Sequence, residues 1–265
     1  MIFAISFYVH DLQIGGFQVP SASALIIIGI IICLIILFLE RRRLGLLTSA
    51  TVMIFMLYFI GDSLISRGLF ALSHIFLHHD FMSQLRIYYF FPVSGKVLFG
   101  SLVSAVIAPF IAAAALKEKD KRYQYLDMFM VSYVMLIIFV RIGNFLVHFH
   151  SGKLTNLPWG FDYMGQVRHE PSLYEAISLT ILFIICWIAR TRIKKPGALS
   201  LFIIGWIALS RFITDFTRSN DLADSNFHFG NGLISLNQVV YLAVLGIIFS
   251  IYYRQRRNIV PSVTN

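Results

Sequence analysis

The chain has 265 residues, 58% apolar and only 13% charged, with 25 phenylalanines. This excludes an ordinary soluble domain, in which charged residues make up about a quarter. The net charge of +9 does not mark a nucleic-acid binder, because the basic residues stand in short clusters beside apolar runs, as topology signals do.

Such a chain holds about six to eight membrane spans of ~20 residues each. Residues 1–20 lack a basic stretch followed by a cleavage site, so no removable signal peptide is expected. Apolar runs follow at 22–39, 46–65, 97–116, 128–146, 176–189, 198–216 and 236–253. Their hydrophobicity is continuous rather than one-sided, as suits helices facing lipid and one another. Pro20, Pro92 and Pro171 fall just before runs, where proline can open a helix. Cys33 and Cys186 both lie inside apolar runs and read as buried hydrophobes rather than a disulfide framework. The expected fold is all-α, a single integral membrane domain over residues 1–265 with seven transmembrane helices.

The basic residues sort to one side. Arg41, Arg42 and Arg43 follow the first run, and Lys117, Lys119, Lys121 and Arg122 the third. Arg190, Arg192, Lys194 and Lys195 follow the fifth, and Arg254, Arg256 and Arg257 the seventh. The positive-inside rule makes that side the cytoplasm, so the N-terminus lies outside and the C-terminus inside.

Polar chemistry crowds the outer ends. Arg141 sits at the outer end of the fourth run. A guanidinium inside a bilayer costs roughly 2.5–3.5 kcal/mol at mid-depth, so it requires a partner, and the commonest anion there is a lipid phosphate. In the sixth run Arg211, Asp215 and Arg218 share a helical face. Either Arg211 and Asp215 neutralise each other, or Asp215 holds an arginine aimed at a phosphate. His148, His150 and His169 lie in or beside the outer loop 147–172, and His74, His78 and His79 follow the second run. No helical histidine pair with a carboxylate stands out, so neither a metal nor another cofactor is expected. Histidine is the side chain best suited to take a proton from a thiol near neutral pH. Trp159, Phe161 and Tyr163 read as an interfacial aromatic belt.

Taken together, these residues resemble the prolipoprotein diacylglyceryl transferase family. Arg141-Ile-Gly-Asn144-Phe145 resembles its Gly-Arg-Ile-Gly-Asn-Phe signature, with Val140 in place of the leading glycine. Asp127 stands where the family places an aspartate, fourteen residues before Arg141. Leu157-Pro158-Trp159 resembles the Leu-Pro-Trp after the signature. His169-Glu170-Pro171-Ser172-Leu173-Tyr174-Glu175 keeps the spacing of the family's His-Pro-Ser-Gln-Leu-Tyr-Glu. Arg211 to Arg218 resembles Arg-Phe-x-x-Glu-x-x-Arg, and Arg67 matches an arginine at the outer end of the second span. The resemblance covers roughly residues 60–220.

The resemblance implies transfer of a diacylglyceryl group from phosphatidylglycerol to the lipobox cysteine of a prolipoprotein at the outer face of the bacterial cytoplasmic membrane, with glycerol phosphate leaving. Arg141 and Arg211 take the phosphate, and Asn144 the headgroup or peptide backbone. Gly152 stands where backbone must come close to a ligand, and Tyr174 and Glu175 open the fifth span beside substrate. The family's histidine at the start of the third span is absent from Val93-Ser94-Gly95-Lys96-Val97. Lys96 adds a cation there, and His148, His150 and His169 become the candidate bases. The tyrosine early in the first span is also missing, Phe149 replaces a glutamate, and Trp206 or Ile207 replaces a second tyrosine. The alternatives are a family member that binds anionic lipid or lipoprotein without turnover, and a small membrane transporter.

Overall fold

The computed structural model describes residues 12–14, 17–69, 98–148, 152–219, 228–229 and 234–257. Seven helices are long and apolar enough to cross a membrane among these residues. They are α1 (Ser21–Leu44), α2 (Thr48–Gly61), α3 (Leu98–Ala115), α4 (Arg122–Leu146), α5 (Pro171–Ala189), α6 (Ala198–Thr214) and α7 (Leu236–Arg257). A π-helical turn, Asp62–Ser66, carries α2 onward as one span, Thr48–Leu69. Short 3-10 turns, Lys119–Lys121 and Asp215–Thr217, lead into α4 and out of α6.

Two boundaries differ from the expectation in ways that matter. Pro171 occupies the first turn of α5, where its missing N–H costs nothing. Tyr174 and Glu175 therefore lie inside the helix rather than at its mouth. Helix α4 begins at Arg122 rather than 128, because its polar first turns are anchored. Tyr125 is fully buried, donates to Glu118 Oε2 at 2.5 Å and accepts from Leu47 N–H at 3.3 Å. The three two-stranded hairpins were not expected: β1 (Leu12–Ile14) with β2 (Phe17–Val19), β3 (Phe161–Tyr163) with β4 (Gln166–Arg168), and β5 (His228–Phe229) with β6 (Ile234–Ser235).

The chain divides into two compact units. One comprises Ile32–Tyr133 and Thr191–Ser200. Its core is small and polar in places. Gly100 of α3 lies so close to Ser66 that a Cβ would stand 2.6 Å from Ser66 Cα, the near approach that small residues permit between membrane helices. The hydroxyls of Tyr58 and Tyr133 meet Ser101 Oγ at 2.9 and 3.2 Å. Asp127 accepts from Gly197 N–H (2.7 Å) and from the backbone (2.8 Å) and hydroxyl (2.5 Å) of Ser200. A side chain from one helix thus satisfies the orphan donors that open α6.

The other unit comprises Met1–Ile31, Val134–Arg190 and Leu201–Asn265. Gly143 of the signature sits against α1, where a Cβ would meet Ala22 Cα at 3.3 Å. Every described residue of the candidate site belongs to this unit.

Candidate active site

The site grows from the facing ends of α4, α5 and α6. Arg141, Glu175 and Arg211 come from these three helices and are all buried. Glu175 holds both cations: its Oε2 lies 2.7 Å from Arg141 Nε, and its Oε1 accepts from Arg211 Nη1. Thr214 Oγ1 adds a long contact to the same oxygen at 3.5 Å. The guanidinium of Arg211 also lies 5.8 Å from the Tyr241 ring centre.

This corrects the expected partner of Arg211. The local candidate was Asp215, but the helix ends at Thr214 and a 3-10 turn carries Asp215 off the α-helical face. Asp215 instead accepts from the Ser235 hydroxyl and lies 3.6 Å from Arg218 Nε. Ser235 and Gln238 cap α7 reciprocally: Ser235 N–H donates to Gln238 Oε1 (2.9 Å), and Gln238 N–H to Ser235 Oγ (3.0 Å), the capping-box arrangement. Three guanidiniums, Arg141, Arg211 and Arg218, thus meet two carboxylates, Glu175 and Asp215. Among the described residues these five side chains sum to one net positive charge. The buried Nε of Arg211 makes no hydrogen bond, while that of Arg141 is taken up by Glu175 Oε2 as an ion pair. A buried cation left partly unsatisfied is what an anion site requires.

The segment after α4 forms a lid-like sheet built by its own turns. Met164 and Gly165, at φ +52 and +79, make the two-residue loop joining β3 to β4, where positive φ matches the strand twist. The stretch beginning at Gly152 pairs with the other edge of β4. At Gly152 a Cβ would stand 2.6 Å from His169 Cβ and from Thr217 O. The close approach at Gly152 is therefore to protein. Its carbonyl also accepts from Arg168 Nη1 at 3.1 Å. Arg168 is buried and reaches Gln166 Oε1 (2.6 Å) and Ser219 Oγ (3.3 Å).

Of the expected aromatic belt, only Trp159 is well exposed. Phe161 is buried, 5.3 Å from the Phe145 ring.

Two histidine pairs lie beyond the arginines. His148, in the turn two residues past the end of α4, is in the left-handed region, φ +46, and its Nδ1 is 3.0 Å from Glu170 Oε2. The rings of Phe145, Phe161 and Tyr163 surround it at 6.2–6.4 Å. His169 Nδ1 lies 3.0 Å from the Tyr174 hydroxyl. Burial, with Lys153 nearby, holds the His169 imidazole below its usual value. Burial pushes the Glu170 carboxyl up to about 7, and the hydrogen bond from His148 only partly opposes that rise. Asn144 is half-buried on α4, on the turn after Arg141. Lys96, His150, His74, His78 and His79 lie outside the described residues, as do Pro92 and 93–97. Glu170 is the residue that sequence reasoning missed. Its place just before Pro171, opposite the end of a helix carrying His148, is the signal that points to it.

Fold and site together define a multi-pass helical membrane protein in which arginines from separate helices converge on a shared carboxylate. The family model for prolipoprotein diacylglyceryl transferase matches residues 10–254. The chain belongs to that family. Three relatives carry the name phosphatidylglycerol–prolipoprotein diacylglyceryl transferase. The chain is 31% identical to that of Wolinella succinogenes over 156 residues, covering 58% of this chain and 56% of the relative. It is 32% identical to that of Campylobacter hominis over 172 residues, covering 64% and 59%. It is 35% identical to one from Campylobacter jejuni over 133 residues, covering 50% and 48%. The chain thus spans about half to three-fifths of the length of these curated relatives.

Proposed function

We propose that the protein transfers a diacylglyceryl group from phosphatidylglycerol to the lipobox cysteine of a prolipoprotein in the bacterial cytoplasmic membrane. The observation that carries this reading is the convergence of Arg141 and Arg211, from two different helices, on the buried Glu175. In the reaction the thiol loses its proton, the sulfur attacks the diacylglyceryl carbon, and the C–O bond to phosphate breaks as the C–S bond forms. Its electron pair leaves on glycerol phosphate, whose charge rises from one to nearly two. Preorganised guanidiniums favour that change most in the transition state. Arg141 and Arg211 are assigned to the phosphate, with Lys96 as a further cation. Asn144 and Tyr174 are assigned to the glycerol headgroup or the peptide, and Glu175 holds the arginine pair. Gly152 seats the sheet beside them. His148, His150 and His169 are the candidate bases. The four basic clusters support an orientation with the N-terminus outside and the site at the outer leaflet.

The test uses membranes carrying the protein, labelled phosphatidylglycerol and a lipobox peptide. Lipidated peptide and released glycerol phosphate are expected. Arg141→Lys should cost about tenfold or more, because an ammonium cannot reproduce the planar fork. Lipid binding without release of glycerol phosphate would instead make this a binding member of the family. Flux of the lipid without transfer would make it a transporter.

A further inference from the structure

The arginine cluster accounts for the leaving phosphate but leaves the thiol proton without a destination. The segments flanking the two helices that join Arg141 to Glu175 meet a second time, where His148, two residues past the end of α4, contacts Glu170, the residue just before α5. His148 lies seven residues beyond Arg141, and Glu170 five residues before Glu175. At ~1.5 Å per helical residue, the ends of α4 and α5 lie about 6–8 Å from Arg141 and Glu175, and the second contact sits past those ends. In an in-line displacement the incoming sulfur lies on the side of the carbon opposite the leaving oxygen. A proton acceptor for that sulfur therefore belongs several ångströms from the phosphate, on one side of it.

Resting on the transferase reading, we infer that Glu170, hydrogen-bonded to His148, is the group that receives the proton of the acceptor thiol. Three features support it. Glu170 is 2% exposed, so its charge is disfavoured and its affinity for a proton is high. Its Oε2 is fixed on His148 Nδ1, while its buried Oε1 makes no hydrogen bond. That oxygen is the unsatisfied acceptor a thiol needs. The His148 ring, held between Phe145, Phe161 and Tyr163, fixes the carboxylate's orientation. Among the described residues, the other titratable groups near Glu170 are Tyr174, in the first turn of α5, and its chain neighbour His169, which faces Tyr174 and feels Lys153. In the step, the S–H bond breaks and the proton passes to Oε1. The sulfur pair forms the C–S bond, and the proton later leaves to solvent or to glycerol phosphate.

The test uses the full chain in phosphatidylglycerol bilayers with a lipobox peptide. Glu170→Gln should lower kcat by about a hundredfold or more, the range for a lost general base, with KM for the peptide little changed. Glu170→Asp should recover part of the rate, and His148→Gln should shift the acid limb of the pH–rate profile. Infrared difference spectra of wild type against Glu170→Gln, taken without turnover, should hold a carboxyl C=O band that vanishes near neutral pH. Should Glu170→Gln fail to fold, the spectrum against Glu170→Asp decides. Wild-type kcat and an unchanged acid limb in Glu170→Gln, or a band that vanishes in the ordinary carboxylate range, overturns the inference and leaves the transferase reading standing. A wild type that lipidates no peptide at any pH removes the transferase reading, and this inference with it.

Discussion

Glu175→Gln isolates the role of the carboxylate shared by Arg141 and Arg211. Glu175 is 1% exposed and contacts both guanidiniums. Removing its charge raises the cluster from one net positive charge to two while leaving the side-chain volume unchanged. Breaking a buried ion pair by removing one partner costs about 3–5 kcal/mol. The amide keeps one acceptor oxygen, so the low end, about 3 kcal/mol, is expected. For a chain of this size each kcal/mol moves Tm by about 2–4 °C, which predicts a fall of about 6–12 °C. Thermal unfolding in detergent micelles measures it, followed by circular dichroism. Two companion results should appear. Arg211→Gln in the Glu175→Gln background should restore part of the loss, since the surplus charge is gone; coupling in such contacts is about 0.5–3 kcal/mol. Glycerol phosphate should stabilise Glu175→Gln more than wild type, because it supplies the missing anion. A Glu175→Gln protein as stable as wild type, with no coupling to Arg211, would refute the reasoning that the carboxylate holds the two arginines together.

Three further outcomes follow from the geometry. Gly152→Ala forces a methyl to within 2.6 Å of His169 Cβ and Thr217 O; overpacking of that kind costs about 1–3 kcal/mol and should show as lower thermal stability and faster proteolysis at 152–168. Asp127→Asn removes a charged acceptor from the start of α6, a loss of about 1–2 kcal/mol, measured by the same unfolding assay. The Glu170 carboxyl binds its proton more tightly folded than unfolded, so its contribution to stability is complete below its ordinary 4.5 and is lost as pH rises to about 7. Glu170→Gln should flatten the stability-against-pH curve across that window.

The helices were legible because a membrane span must satisfy its backbone internally and present apolar side chains on every side. That leaves long uninterrupted runs in the sequence. Their ends were less legible. The polar turn 122–127 looks like loop until Tyr125 is seen buried against Glu118 and Leu47. The strands were invisible because each is three residues or fewer, too short for alternation to register. At the site, the arginines themselves announced a partner by their cost, but not which one. Asp215, four residues from Arg211, was the local choice, while the true partner Glu175 lies 36 residues away on another helix. Sequence spacing ranks local pairs first, and helix packing overrules it. Glu170 escaped notice for the opposite reason. It lies within a stretch whose spacing from His169 to Glu175 carries the resemblance, and only the packing of α4 beside α5 sets it against His148.

The wide turn at Asp62–Ser66 carries about one residue more than α pitch requires. Losing a single amino acid there would rewind the second span to regular pitch. Because the extra residue is taken up within the turn itself, Arg67 beyond it would keep nearly the same facing, whereas a deletion in the regular turns of α2 would swing it by about 100° around the axis and draw it back about 1.5 Å. The turn therefore lets the span change length by one amino acid without re-aiming the guanidinium beyond it.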